Sequence, residues 1–252
     1  MKGDEGLPSG WTFATIGDVV AGDGVFRDGD WVETKDQDPS GHVRLTQLAD
    51  VGEGVFRDRS SRFMRDDQAQ ALNCTFLEAG DVLVARMPDP LGRACIFPGL
   101  SQPAVTAVDV CIIRPGSASV DARWLMWAIN TPQFRRRVLA LQSGTTRRRI
   151  SRKNLATIEF PVPPLNEQMR IAAAIDEQFS RLDSVLATIE TLVGPVDRSS
   201  GKIGALRRAI LTNAFRGELV SQDPADEPAS ELLERIRTEA AIPSTTRPEV
   251  GT

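Results

Sequence analysis

The densest chemistry-bearing run is Gln142-Ser-Gly-Thr-Thr-Arg-Arg-Arg-Ile-Ser-Arg-Lys-Asn-Leu155. Gly144 frees backbone amides, Thr145 and Thr146 bring hydroxyls, and Arg147, Arg148, Arg149, Arg152 and Lys153 bring cations. Those three kinds of donor together suit phosphate oxygens. A charge run is more often a plain solvated face. Here, however, residues 122–158 hold nine Arg or Lys and no Asp or Glu, while the whole chain carries −4. The remainder must therefore sum to −13 (−4 minus +9). An acidic protein with one bare basic belt can still bind a polyanion, because phosphate contacts are local and are screened beyond about 8–10 Å.

Other polar candidates are more scattered. Gly80-Asp-Val-Leu-Val-Ala-Arg86 delivers Arg86 at the end of an apolar strand, and Arg93 closes the Pro-rich loop that follows. Guanidinium suits phosphate or guanine through two parallel bonds; the alternative is a local ion pair with Asp81 or Asp89. Lys35, Gln37 and Gln47 lie in a stretch rich in Gly and Asp that marks tight turns between short strands. They are side chains able to read base edges, or ordinary solvated loop residues. Asp23 with Glu33-Thr-Lys35 makes a D…ExK set, the skeleton of many metal-dependent nucleases, in which the acids bind Mg²⁺.

Much chemistry is not encoded. No GxxxxGK[ST] loop is present, and no methyltransferase signature. His42 is the only histidine. Cys74, Cys95 and Cys111 are odd in number and fit neither a disulfide frame nor a zinc site, as expected in a reducing cytoplasm. The N-terminus is polar and acidic, unlike a signal peptide, and no run approaches the ~18 apolar residues of a membrane span. Neither a catalytic residue nor a metal ligand set is expected.

These residues need elements to position them. Trp11 and Phe13 alternate as in a first strand, His42–Ala49 can form a strand with Val43 and Leu45 on one face, and Val82–Ala85, Ala94–Phe97 and Val105–Ile113 read as further strands. Asp121–Ala140 reads as a helix broken near Asn130-Thr131 by Pro132. After Pro161-Val-Pro-Pro164, with Asn166 as N-cap, a long helix carries apolar residues at Ala172, Ile175, Phe179, Leu182, Leu186, Ile189, Val193 and Val196. Those spacings alternate between three and four, a heptad seam of about three and a half heptads that packs along another helix. Gly194-Pro195 should end it near Leu192, about 42 Å from its start at ~1.5 Å per residue. The bland alternative is one core helix of a globular domain. Near the C-terminus, Ser230–Ala240 forms an amphipathic helix docked by Leu232, Leu233 and Ile236, with a disordered tail from Pro243.

The stretch Phe160-Pro-Val-Pro-Pro-Leu-Asn-Glu-Gln-Met-Arg-Ile171, leading into a heptad helix, resembles the helical spacer of type I restriction–modification specificity subunits. Ala209-Ile-Leu-Thr-Asn-Ala-Phe-Arg-Gly-Glu-Leu-Val220 resembles that family's following element. Leu7-Pro-Ser-Gly-Trp11, the Asp28–Leu48 region, the strand ending at Arg86 and the Ser143-Gly-Thr segment are similar to its target-recognition domains.

The resemblance implies an α+β fold: one globular DNA target-recognition domain at 1–158, then a coiled-coil-like spacer arm at 159–220. A docking helix near 230–241 and a flexible tail fill 221–252. It implies a non-catalytic, cytoplasmic subunit that selects a DNA sequence. Separate methyltransferase and restriction subunits would supply S-adenosylmethionine, ATP and Mg²⁺ chemistry, with no cofactor in this chain. A full-length family member carries two recognition domains, so this chain should self-dimerise or pair with another half-subunit through Ile175, Phe179, Leu182, Leu186 and Ile189. Two rivals stand beside this: a nuclease using Asp23, Glu33 and Lys35, and a coiled-coil scaffold whose basic belt binds an acidic protein.

Overall fold

The apolar runs of the first half are short and bounded by Gly, Pro and Asp, so they make short strands. In the computed structural model, which describes residues 6–20, 22–116, 120–193 and 201–241 (Val193 by its backbone), the chain opens with β1 (Thr12–Thr15), a single helical turn α1 (Ile16–Val19) and β2 (Val25–Asp28). β3 (Val43–Thr46), β4 (Arg62–Met64), α2 (Asp66–Ala71), β5 (Val82–Ala85), β6 (Ala94–Ile96), β7 (Ala104–Thr106) and β8 (Val110–Arg114) follow. Then come α3 (Ala122–Asn130), α4 (Pro132–Ala140), α5 (Arg152–Ala156), β9 (Glu159–Val162), α6 (Leu165–Val193), α7 (Gly201–Ala214) and α8 (Ala229–Ala241). The break at Gly194-Pro195, the seam positions Val193 and Val196 and the tail from Pro243 lie outside the described side chains.

Capping sets the helix boundaries. The Asp121 carboxylate accepts from the Trp124 amide at 2.7 Å and starts α3. Thr131 ends α3 and caps α4 through its hydroxyl, which accepts from Phe134 N at 3.2 Å, with Pro132 at the first helical position. The predicted break falls where the sequence puts it. Asn166, by contrast, is not a cap: α6 already begins at Leu165, and Gln168 N donates to Pro164 O at 2.9 Å.

The strands form an antiparallel sheet β2-β8-β5-β6, a second sheet β4-β3-β7 in which β3 and β7 run parallel, and the pair β1-β9. Val82, Val84, Cys111 and Ile113 enter the main core with α3, whereas Leu83, Ala85, Val110 and Ile112 enter a smaller cluster with Phe97. Burial on both faces explains why these strands read as continuous apolar runs. The single strand expected at Val105–Ile113 is two. Val110 N donates to Ala107 O at 2.9 Å, and this turn sends β7 and β8 to different sheets.

The sequence reading divides the chain at 158/159 and 220/221. The cut at 158/159 falls next to a ladder: β9 pairs with β1, Thr12 opposite Val162 through Thr15 opposite Glu159. Trp11 Nε1 also donates to Glu167 Oε2 at 3.0 Å, and Ala229 N to Gly10 O at 2.8 Å. Head, arm base and C-terminal helix thus share one core. α8 packs on α1, burying Leu232, Leu233 and Ile236, each worth roughly 1.5–3 kcal/mol relative to exposure.

The arm also differs. Ile175 and Phe179, expected on a partner-chain seam, are buried in this chain's own core, with Phe179 edge-on to Trp127 at a 5.0 Å centroid distance. The seam found an internal partner because α3 and α7 supply apolar faces. α7 runs back along α6: Arg207 pairs with Asp183 at 2.6 Å, its guanidinium lies 5.1 Å from the Phe179 ring, and Phe215 stacks at 6.0 Å from Trp124. Leu186 is likewise buried. Leu182 is half-buried, while Val185, Ile189 and Leu192 are exposed, Leu192 by 77%.

Candidate nucleic-acid interface

The basic run forms a closed loop. Ser143 N donates to Arg149 O at 2.8 Å and Arg149 N to Ser143 O at 2.9 Å, so seven residues are cinched at the base. Gly144 has φ +89°, and a Cβ there would meet Arg147 O at 2.3 Å, which is why glycine stands at this turn. Thr145, Thr146, Arg147, Arg148 and Arg149 are all exposed. Ser151 then caps α5, accepting from Asn154 N at 3.0 Å, and places Arg152 and Lys153 in its exposed first turn. Among the described residues no ion pair joins Arg147, Arg148, Arg149 or Lys153 to an acid. Arg152 alone is partly engaged, 3.6 Å from Asp28 and 5.7 Å from the Phe26 ring.

Arg86 and Arg93 do not belong to this display; both turn inward. Arg86 Nη1 donates to Asp28 Oδ1 at 2.6 Å and to Val108 O at 3.1 Å, and Nε to Ile150 O at 3.1 Å. Arg93 is buried and donates to the carbonyls of Val51 at 2.6 Å, Leu48 at 2.7 Å and Pro90 at 2.9 Å. Burial, with Arg57 and Arg135 nearby, pulls its pKa below the usual guanidinium value. The partners differ from the alternatives too: Asp81 pairs with Arg114 at 2.7 Å. A guanidinium at a strand end is used here to satisfy loop carbonyls that burial would otherwise orphan. The two arginines are staples, linking the basic loop through the 87–93 loop to the segment after β3.

Lys35 is exposed and pairs with Glu33 at 2.7 Å. Gln37 accepts from Arg62 Nη1 at 2.7 Å, and Gln47 is half-buried at the end of β3. Gln68 Nε2 donates to Asp36 Oδ1 at 2.9 Å, so the Lys35–Gln37 turn is held by β4 and α2, not by the elements around Arg86. The nuclease set does not assemble. Asp23 and Glu33 lie beyond opposite ends of β2, and the Lys35 ammonium holds the Glu33 carboxyl below its usual pKa. Among the described residues no three of His, Cys, Asp or Glu converge to hold a metal ion. Burial pushes the Cys74 and Cys95 thiols up to about 12, and Cys111 in the same direction.

One group escapes the sequence reading. Arg57-Asp-Arg-Ser-Ser-Arg-Phe-Met-Arg65 carries four arginines, of which Arg57 and Arg59 are exposed on a hairpin beside the Arg93 staple. The signal is the arginine spacing itself, obscured by the Gly- and Asp-rich stretch before it.

Residues 8–191 match the model of the type I restriction modification DNA specificity domain. The chain belongs to that family. Among its relatives are the EcoAI specificity subunit of Escherichia coli, 28% identical over 205 residues, covering 66% of this chain and 35% of that protein. The EcoEI specificity subunit of E. coli is 23% identical over 271 residues, covering 92% and 44%. In fold, the chain is similar to a subunit in a solved type I R-M system assembly, with a TM-score of 0.56 at 22% identity, covering 84% of this chain and 47% of that one. It is also similar to the HsdS subunit from Thermoanaerobacter tengcongensis, with a TM-score of 0.52 at 22% identity, covering 84% and 46%. The chain thus spans less than half the length of these specificity subunits. The α+β architecture and long helix are those expected of the family. No described helix is long and apolar enough to cross a membrane.

Proposed function

We propose that this specificity-family chain recognises double-stranded DNA for a type I restriction–modification complex and makes or breaks no bond itself. The observation that carries this is the cinched loop of Thr145, Thr146 and Arg147–Arg149, bare of acids and pinned at its end by Arg86. Fixed amides, hydroxyls and unpaired guanidinium groups suit a row of phosphates. Methyltransferase and restriction subunits, with S-adenosylmethionine, ATP and Mg²⁺, would act where this chain lands, in the cytoplasm. The test is the full chain, with its methyltransferase partner, binding a random duplex pool at moderate salt. Selection of a sequence is expected; equal binding to all duplexes, or binding only to acidic protein, rejects the reading.

A two-fold pairing is the second part of the proposal. Leu182, Val185, Ile189 and Leu192 recur at spacings of three and four on the outer face of α6. This stripe, not Ile175 and Phe179, is what a second arm can cover. α6, 29 residues, is about 43 Å long, against a DNA turn of roughly 34–36 Å. An antiparallel pair would therefore place two heads about one turn apart, and a homodimer would read a bipartite palindrome.

A further inference from the structure

Residues 47–60, between β3 and β4, fold around one side chain. Asp50 is fully buried, and its carboxylate accepts from the amides of Gln47 at 2.6 Å, Arg59 at 2.6 Å and Ser60 at 2.7 Å, and from the Ser60 hydroxyl. The backbone closes on itself, Arg57 N donating to Asp50 O at 2.8 Å and Gly52 N to Val55 O at 2.9 Å. Phe56 meets Phe97 edge-on at 5.4 Å, and Arg44 holds Asp58 at 2.6 Å. Gly54, at φ +75°, sits so close to Trp127 that a Cβ would lie 2.2 Å from the indole. The Arg93 staple ties Leu48 and Val51 to Pro90, in the loop that follows Arg86, which itself bonds Ile150 beside the basic loop.

What this hairpin presents is specific. Val55 is 53% exposed, Arg57 and Arg59 are exposed, and among the described residues neither arginine is paired with an acid. Phosphate neutralisation tolerates mobile cations. Reading a base edge needs donors held in a fixed direction, with an apolar surface to meet a thymine methyl. We propose that Val55–Arg59 is a base-reading element: Arg57 and Arg59 donate to guanine O6 and N7 in the major groove, Val55 packs against a thymine methyl, and Asp50 is the positioning residue that anchors the hairpin backbone from which they project. This rests on the DNA-recognition reading above.

The test uses the full chain with its methyltransferase partner, the duplex selected from the random pool, and a scrambled duplex of equal length. Arg57→Ala and Arg59→Ala should each weaken binding to the selected duplex by roughly tenfold or more, leave the scrambled duplex within about twofold, and leave the salt dependence nearly unchanged. Arg57→Lys, which keeps charge but loses the fork, should behave like Arg57→Ala. Asp50→Asn should lower discrimination in the same direction; should it fail to fold, the exposed arginine variants decide alone. Retained discrimination in the double arginine variant overturns the inference, as does equal loss on both duplexes with a shallower salt slope, which marks phosphate contacts. An unaltered chain that prefers no sequence overturns the DNA-recognition reading itself, a result distinct from either.

Discussion

Arg86 and Ile150 hold each other twice: Ile150 N donates to Arg86 O at 3.1 Å, and Arg86 Nε donates to Ile150 O at 3.1 Å. The end of β5 is thereby fastened to the residue just after the basic loop. Arg86 governs the loop without being exposed on it.

Arg86→Ala should therefore weaken DNA binding although the side chain faces inward. It leaves Asp28, Val108 O and Ile150 O short of a donor, at a cost of about 1–3 kcal/mol in stability. Limited trypsin digestion should cut at 147–149 faster than in the unaltered chain. Unchanged cleavage and unchanged affinity would show that the loop does not need its staple.

Replacing Arg147, Arg148 and Arg149 together with Ala should weaken binding to every duplex alike. The slope of log K against log salt should flatten by about 0.9 for each phosphate that is no longer neutralised. Thermal stability should stay within about 0.5 kcal/mol, since all three are exposed. A steep loss of stability with an unchanged slope would make them structural.

Leu192→Glu, at the most exposed position of the outer stripe, should convert a dimer to a monomer in light scattering, with the fold intact by circular dichroism. Phe179→Ala should instead unfold the arm base, losing roughly 3–5 kcal/mol, because that ring is in the core. Dimerisation insensitive to Leu192→Glu would place the pairing elsewhere.

The pair Arg170–Asp226, at 2.6 Å, ties the first turns of α6 to the segment before α8. The Arg170 guanidinium holds the Asp226 carboxyl below its usual pKa of 3.8. A depressed carboxyl pKa gives stability that is present above the unfolded value and lost as pH falls through the folded one. Asp226→Asn should thus lower stability at pH 7 by under about 1 kcal/mol, because the guanidinium is partly exposed, read as a small drop in melting temperature. The gap should begin to close as pH falls past the unfolded value of 3.8 and should vanish only below the lowered folded value. A gap that persists in acid would assign the effect to packing.

Local rules were enough for much of this protein. Asp121 and Thr131 with Pro132 carry their helix starts in their own side chains, so α3 and α4 need no distant partner to be placed. The apolar triplet Leu232, Leu233 and Ile236 marked the docking face of α8, and the Pro163-Pro164 step marked the start of α6. The basic loop was legible because 37 residues without an acid leave its cations no local partner.

What tertiary structure alone decided is which partner each ambiguous side chain meets. Arg86 and Arg93 have the same chemistry as Arg147; burial beside loop carbonyls made them staples. Ile175 and Phe179 have the same periodicity as Leu182 and Ile189; Trp127, just over fifty residues earlier, took Phe179 into the core and left the outer stripe bare. Asp50 is buried because Arg59 and Ser60, nine and ten residues later, close on its carboxylate. Periodicity and charge fix what a residue can bind, but contacts between segments far apart in sequence fix what it does bind, because burial and hydrogen bonding are settled only when those segments meet.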